Sequence, residues 1–540
     1  MIPGSANPLL LAAADGGYAI ERSLRFNSAD SAYLSRTPAS AGNRKTWTWA
    51  GWVKICNSTV FKHIFVAGTG VICRFGEANG SHLIHFSSFN GSTFDWILQT
   101  SAVYRDVSAW MHLMFVVDTT QATSTNRIKL YVNGEQVTSF STAAYPNQNT
   151  DWSVNNTVAH YIGGYGASFF GDFYLADIHF IDGQALTPTS FTETDANGVL
   201  QPKAFAGSYG SQGWHLDFAD NSAATATTLG KDTSGNGKNW TPNNLSVTAG
   251  AGNDSLVDVP TNGAQTDTGA GGEVRGNYAT FNPTESSTSG TKTLTNGNLD
   301  VLLADANAAR LTIPPIQASG KYQWEITIGS KTAQYYQMGL NLLSMVYAAG
   351  DLHTTFRSDG IRSNTLSGSW SGIGVSYTSG DIITVTYDNA TNACAFYKNG
   401  VYSATFTLSG SPQSSLNFGV FYGGPGNTNY TLNAGQRAFA HPVSGFKALN
   451  TANLPAGTIT TSGSFTGNAN ADGPFTWLNG VPTAMTINGN AVTFGTHADK
   501  LANGFKVRSS SGSYNTAGSN TYSITTTGAK FKDARAQPNP

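Results

Sequence analysis

Charge is what this chain has least of. Asp, Glu, Lys and Arg make up 11 % of its 540 residues, against the ~25 % usual for soluble domains. The formal balance is −2 and no block of Lys or Arg stands out, so a nucleic acid would find no basic stripe to neutralise its phosphates. Three cysteines, Cys56, Cys73 and Cys394, are too few for a disulfide framework, and Cys56 and Cys73 sit in apolar runs that read as buried thiols. No run approaches the ~18 apolar residues of a membrane span. No basic residue precedes the short apolar run Leu9 to Ala14, whereas an export signal needs a positive start and a longer core. No signal cleavage is expected.

Motifs for chemistry are missing as well. There is no Gly-x-Ser-x-Gly elbow and no phosphate-cradling Gly-rich loop, since Gly230-Lys231 is followed by Asp232. The ten histidines are scattered, without His-Glu-x-x-His or paired cysteines, so the spacing holds no zinc motif. Calcium has two conceivable oxygen ligands, Asp172 and Asp177. The five-residue spacing of Asp172, Asp177 and Asp182 puts neighbours on opposite faces of a continuous strand, so they read as turn and edge residues. The expectation is no metal, no cofactor and no enzyme.

What fills the chain is β-pattern and turns. Sixty glycines and abundant Ser, Thr and Asn make hydroxyls and amides the source of solubility. Trp47 and Trp49 share one strand face, and Leu130-Tyr131-Val132-Asn133-Gly134 runs a strand into an Asn-Gly turn. Further on, Tyr322, Trp324 and Ile326 alternate with Gln323 and Glu325, and Lys398-Asn399-Gly400 marks a second hairpin. The expected class is all-β: tandem β-sandwiches, a turn-rich connector and a small C-terminal β module.

Two stretches resemble known families. The Trp110-Met111-His112 strand, the Leu130 to Gly134 hairpin and Gly171-Asp172-Phe173 followed by Asp177-Ile178 come in the order of a concanavalin A-like lectin jelly roll, of laminin G or pentraxin type, over residues 22–190. The Tyr322-Gln323-Trp324-Glu325 start, Gly380-Asp381 before an Ile/Val strand, Phe396 to Gly400 and Gly435-Gln436-Arg437-Ala438-Phe439 resemble a SPRY domain. The domains read as an N-terminal attachment segment 1–21, the lectin-like domain 22–190, an ordered connector 191–312, a SPRY-like domain 313–440, and a linker with a small β domain at 441–540. Leu299 to Ala304 is expected to be a strand or a short helix.

This combination resembles structural proteins of tailed bacteriophages, chiefly tail fibres and other virion appendages. The resemblance implies a virion location, attachment to other virion proteins through the N-terminal segment, and recognition of a host-surface glycan or protein. A homo-oligomer is expected; a nucleic-acid partner and a membrane span are not. The lectin fold also carries glycanases, whose paired carboxylates usually lie as Glu-x-Asp-x-x-Glu. Here Glu193-Thr194-Asp195 begins the pattern, but Gly198 stands where the second Glu belongs. A capsid decoration or head fibre and a glycanase are the rival readings. Sugar recognition wants an aromatic plate beside planar amides, and loops offer Trp152 and Tyr165 in the first sandwich, Tyr347 and Trp370 in the second. Trp370, flanked by Ser369, Ser371 and Gly372, reads as an exposed loop residue and leads this set.

Overall fold

The structure is a computed structural model. It describes residues 17–527 except 57–60, 69, 77–82, 167, 195–198, 264–273, 284–290, 305–307, 314, 316–319, 333–334, 343–353, 364–369, 409–415, 422–425, 454–457, 468–471, 478–481, 493–497, 502–503 and 509–517. Its regular elements are strands apart from short 3₁₀ turns. The tandem β-sandwich reading holds.

The first sandwich packs two eight-stranded antiparallel sheets. One has Thr46–Ile55 and Phe173–Asp182 at its centre. Met111–Asp118 lies on one side, and Ser23–Phe26 and Trp214–Leu216 lie on the other. The second orders Phe140–Ala144, Phe94–Thr100, Ile84–Phe89, Val71–Phe75, Lys62–Ala67, His160–Ile162, Tyr33–Arg36 and Thr241–Asn243. Trp47 and Trp49 point inward together, as their two-residue spacing predicts. Trp47 meets Phe86 from the opposite sheet edge-on at 6.1 Å, and Trp49 stacks on Phe65 at 6.5 Å. The connector closes this core: Trp214, Phe218, Leu229 and Trp240 are buried in it, with Trp214 and Trp240 4.9 Å apart. Cys56 and Cys73 are buried free thiols.

Asp177 departs from the sequence reading. It lies inside the central strand Phe173–Asp182, 2 % exposed, and not at a turn or an edge. The cause is a β-bulge. Pairing with Thr46–Ile55 shifts register between Ala176 and His179, and Asp177 takes φ +52°. An extra residue in the strand breaks the simple alternation on which the five-residue spacing was judged. Asp172 precedes the strand, where it accepts from Ser28 N and pairs with Lys62 Nζ at 2.5 Å. Asp182 ends it and gathers the Asn43, Asn155 and Gln212 donors.

In the second sandwich an eight-stranded sheet runs Thr291–Thr295, Asp300–Ala304, Asn427–Asn433, Lys321–Lys331, Ile382–Asp388, Ala393–Lys398 and Val401–Thr407, with Lys447–Ala448 alongside Lys321–Lys331. The open choice at Leu299 to Ala304 thus resolves to a strand. The facing sheet holds Ala308–Arg310, Leu416–Phe421, Gln337–Leu342, Thr355–Arg357, Ile361–Ser363 and Trp370–Gly372. Asn399 and Gly400 both have positive φ, +48° and +81°, the backbone a tight hairpin needs. Towards the C-terminus, strands between Thr458 and Thr527 form two small sheets, and Asn488-Gly489 repeats the positive-φ turn.

The two sandwiches are tied through residues 251–297. Lys54 Nζ, 1 % exposed, reaches Asp258 Oδ2 at 2.8 Å, Asn277 Oδ1 at 2.7 Å and the Tyr278 carbonyl at 3.0 Å. Tyr174 donates to the Gly297 carbonyl at 2.8 Å, and Arg437 to the Ala251 carbonyl at 2.8 Å. Among the described residues no helix is long and apolar enough to cross a membrane.

Candidate functional site

On the outer face of the second sheet of the first sandwich, aromatic side chains form a strip. Leu34 and Ile162 are buried in the core, so alternation turns Tyr33, Ser35 and Tyr161 outward. The two strands pair with Tyr161 opposite Ser35, and the Tyr33 and Tyr161 rings lie 6.1 Å apart. Beyond His160–Ile162 the chain turns at Gly163, whose φ is +88° and where a Cβ would run into the Phe26 ring. Only glycine fits there. The turn brings Tyr165 edge-on to Tyr161 at 6.1 Å and 90°, and Phe170 to 5.9 Å from Tyr33. Phe169 continues the strip, 48 % exposed, 6.2 Å from Phe61. Its φ of +55° is a conformation that non-glycine residues rarely hold, and such strain concentrates at functional sites.

Polar groups border the strip. Asn243 Nδ2 donates to Ser35 Oγ at 3.0 Å, and the Arg74 guanidinium lies 4.1 Å over the Phe61 ring. Beneath Phe169 and Tyr165 is His63, its ring 5.0 Å from the first and 6.4 Å from the second. Burial, then Arg74 and His85, push its pKa down to about 3, so it is neutral, an apolar floor with nitrogens to spare. Half-exposed rings flanked by an amide and hydroxyls match the apolar face and hydroxyl rim of a sugar.

Of the residues singled out from sequence, Tyr165 lies in this strip. Trp152 is half-buried, edge-on to core Trp96 at 5.7 Å and packed on the first core. Trp370 opens an edge strand, pairing with Ser363, where an exposed loop was expected. Tyr347 lies outside the described residues. Tyr33, Tyr161, Phe169 and Phe170 were missed; the outward phase of Tyr33 and Tyr161 was readable, but not that the two strands are neighbours.

A second group lies on the outer face of the other sheet. Apolar patches on either side, Trp52 with Trp110 and Met114 with Phe191, are covered by the chain. Between them His179 sits directly opposite His215 in register, their rings parallel within 6° and 4.2 Å apart. His215 Nε2 is 2.7 Å from Asp177 Oδ1, and His179 Nε2 is 3.2 Å from Oδ2. The Tyr18 hydroxyl donates to Oδ1 at 2.8 Å. Burial alone would raise the Asp177 carboxyl, but His179 and His215 outweigh it and hold it far below the usual carboxylate range. Burial lowers His179 in turn, against the pull of Asp177. Asp177, His179 and His215 offer ligand atoms all within 4.8 Å of one another.

Residues 27–190 match the Concanavalin A-like lectin/glucanases superfamily. That stretch is similar to laminin G-type lectin domains. Its sheets also recruit Trp214–Leu216, Thr241–Asn243 and Ser255–Leu256 from beyond the matched residues. No curated protein matches the chain. Similar solved structures include the SPRY domain of human HERC1, at 18 % identity over 25 % of this chain and 81 % of that one, TM-score 0.19. A SAP-like pentraxin of Limulus polyphemus is similar at 14 % over 32 % and 80 %, TM-score 0.25. A proposed carbohydrate-binding protein of Bacteroides ovatus is similar at 15 % over 42 % and 59 %, TM-score 0.29.

Proposed function

We propose that this chain is a glycan-recognition protein, and that its lectin domain binds sugar across Tyr33, Tyr161, Tyr165, Phe169 and Phe170. The observation that carries this reading is the half-exposed aromatic strip itself, bordered by Ser35 and Asn243 and containing an exposed phenylalanine held at positive φ. The lectin match supports a sugar as ligand in preference to another apolar partner.

The same proposal places the protein on a bacteriophage particle, as a tail fibre or spike touching the host surface. Low charge and two polar-surfaced sandwiches tied by buried contacts favour an exposed, stiff appendage. The role is binding without catalysis. Its carboxylates at the strand ends are engaged in structure, Asp172 with Lys62 and Asp182 with four donors.

A glycan array and host-cell adsorption with the full chain test this. Tyr161→Ala and Tyr165→Ala are each expected to cost about 2 kcal/mol, roughly 30-fold in Kd, as truncation of a central aromatic anchor does. Failure to bind any glycan or susceptible cell removes the recognition role. Binding that ignores both substitutions moves the site elsewhere. Release of reducing sugar from host polysaccharide would establish a glycanase instead.

A further inference from the structure

We propose that Asp177, His179 and His215 bind a divalent transition-metal ion of the zinc class, through the two imidazole Nε2 atoms and a carboxylate oxygen. Bonds of ~2.0–2.2 Å at tetrahedral angles put the donors about 3.3–3.6 Å apart. The carboxylate lies 2.7 and 3.2 Å from the two Nε2 atoms, close to that spacing. With all three ligand atoms within 4.8 Å, the widest separation has about an ångström to close by side-chain rotation. Two imidazoles and one carboxylate form a donor set that suits zinc and its neighbours better than calcium, which takes oxygen.

Four further observations converge on this site. Each imidazole is oriented by a hydroxyl on its far nitrogen: His179 Nδ1 with Tyr209 Oη at 2.9 Å, His215 Nδ1 with Thr233 Oγ1 at 2.8 Å. Outer hydrogen bonds of this kind fix the tautomer of metal-ligating histidines. In the tautomer that donates Nδ1–H to the hydroxyl, the Nε2 lone pair of each ring faces the carboxylate, the arrangement a cation between the three side chains would select. Second, His179 Nε2 is buried and makes no hydrogen bond, although Asp177 Oδ2 is 3.2 Å away. The nitrogen is near the oxygen but off the line a proton would take.

Third, Asp177 is 2 % exposed, and among the described residues it forms no ion pair with Lys or Arg; its partners are the two imidazoles and the Tyr18 hydroxyl. A buried carboxylate needs compensation, and the neighbouring Asp232, whose Oδ1 accepts from His215 N at 2.9 Å, adds negative charge. Fourth, the bulge holds Asp177 at φ +52°, a strained conformation that aims its carboxylate at the histidine pair. His215 lies past the end of the matched lectin residues, so the site depends on the strand Trp214–Leu216 folding back onto the sheet.

The test uses the full chain, stripped with a chelator and titrated with Zn²⁺ by calorimetry and with Co²⁺ by visible absorption. One equivalent is expected to bind, with Co²⁺ showing the strong bands of a four-coordinate nitrogen and oxygen site. His179→Gln and His215→Gln should each weaken Zn²⁺ binding by more than the roughly 10- to 100-fold that loss of an outer partner costs. Thr233→Val, which leaves every ligand in place, should weaken it by about 10-fold and guards against a Gln variant that misfolds. Absence of stoichiometric Zn²⁺ uptake by the stripped chain overturns the proposal. So does uptake that both Gln variants and Thr233→Val leave unchanged, which would put the ion at other histidines.

Discussion

Lys54→Met is expected to destabilise the protein by about 3–5 kcal/mol, the usual cost of removing one partner from a buried ion pair. Lys54 and Asp258 are each 1 % exposed and 2.8 Å apart. The ammonium also satisfies Asn277 Oδ1 and the Tyr278 carbonyl, and Asp258 Oδ1 accepts the Trp110 indole N–H at 3.1 Å. Methionine fills the volume but leaves a carboxylate without its cation. Adding Asp258→Asn removes the charge and keeps an acceptor for Trp110, so the double variant should be more stable than Lys54→Met alone. Urea unfolding of the four proteins closes the cycle; a double variant no better than the single one would show that the pair is not coupled.

The acid dependence of that loss has a fixed sign. Burial already pushes the Asp258 carboxyl above its ordinary 3.8, with Lys54 holding it back. Without Lys54 the folded pKa rises further, so the folded protein binds a proton more tightly than the unfolded chain does. Stability then grows as pH falls. The deficit of Lys54→Met should be complete above the raised folded pKa and shrink as pH drops toward 3.8. A deficit constant across that window would mean that lost packing, and not the stranded charge, accounts for it.

The strands were readable wherever a two-residue period ran long enough to fix an inward face. Trp47 with Trp49 and Tyr322 with Trp324 and Ile326 are all buried as that period requires, and Asn399-Gly400 turns as its residue types demand. The short strands of residues 200–256 carried no such signal. Three residues of Trp214–Leu216 cannot show a period, so their return to the first sheet came from tertiary packing alone. The candidate sites were hidden for related reasons. His179 and His215 are far apart in the sequence, with the strands Thr192–Thr194 and Leu200–Pro202 between them, and they meet because two strands pair in one register. The bulge at Asp177 depends on a backbone angle that Asp does not announce. Tyr165 was visible as a loop aromatic; that Tyr33 and Tyr161 stand beside it depends on strand order, and Trp152 was drawn into packing with Trp96.

Trp324→Ala is expected to cost about 3–5 kcal/mol, the range for emptying a large aromatic site in a core, and to do so in the second sandwich alone. Trp324 is fully buried on the strand Lys321–Lys331, and its ring meets Phe418 of the facing sheet edge-on at 4.9 Å. Trp324→Phe, which keeps a ring at that junction, should cost clearly less. The two sandwich cores share no residue. Apart from the buried Lys54–Asp258 pair, links such as the hydrogen bonds from Tyr174 to Gly297 and from Arg437 to Ala251 are each worth only about 1 kcal/mol net. The Lys54 pair anchors residues 258 and 277–278 to the first sandwich without joining the two cores. Such links position the sandwiches without merging their unfolding. In Trp324→Ala, urea should therefore melt the second sandwich first, at a lower midpoint than in the parent protein. Glycan binding at Tyr161 and metal binding at His215 should persist through that first transition. A single cooperative transition that takes both activities with it would show that the contacts around residues 251–297 make the two sandwiches one folding unit.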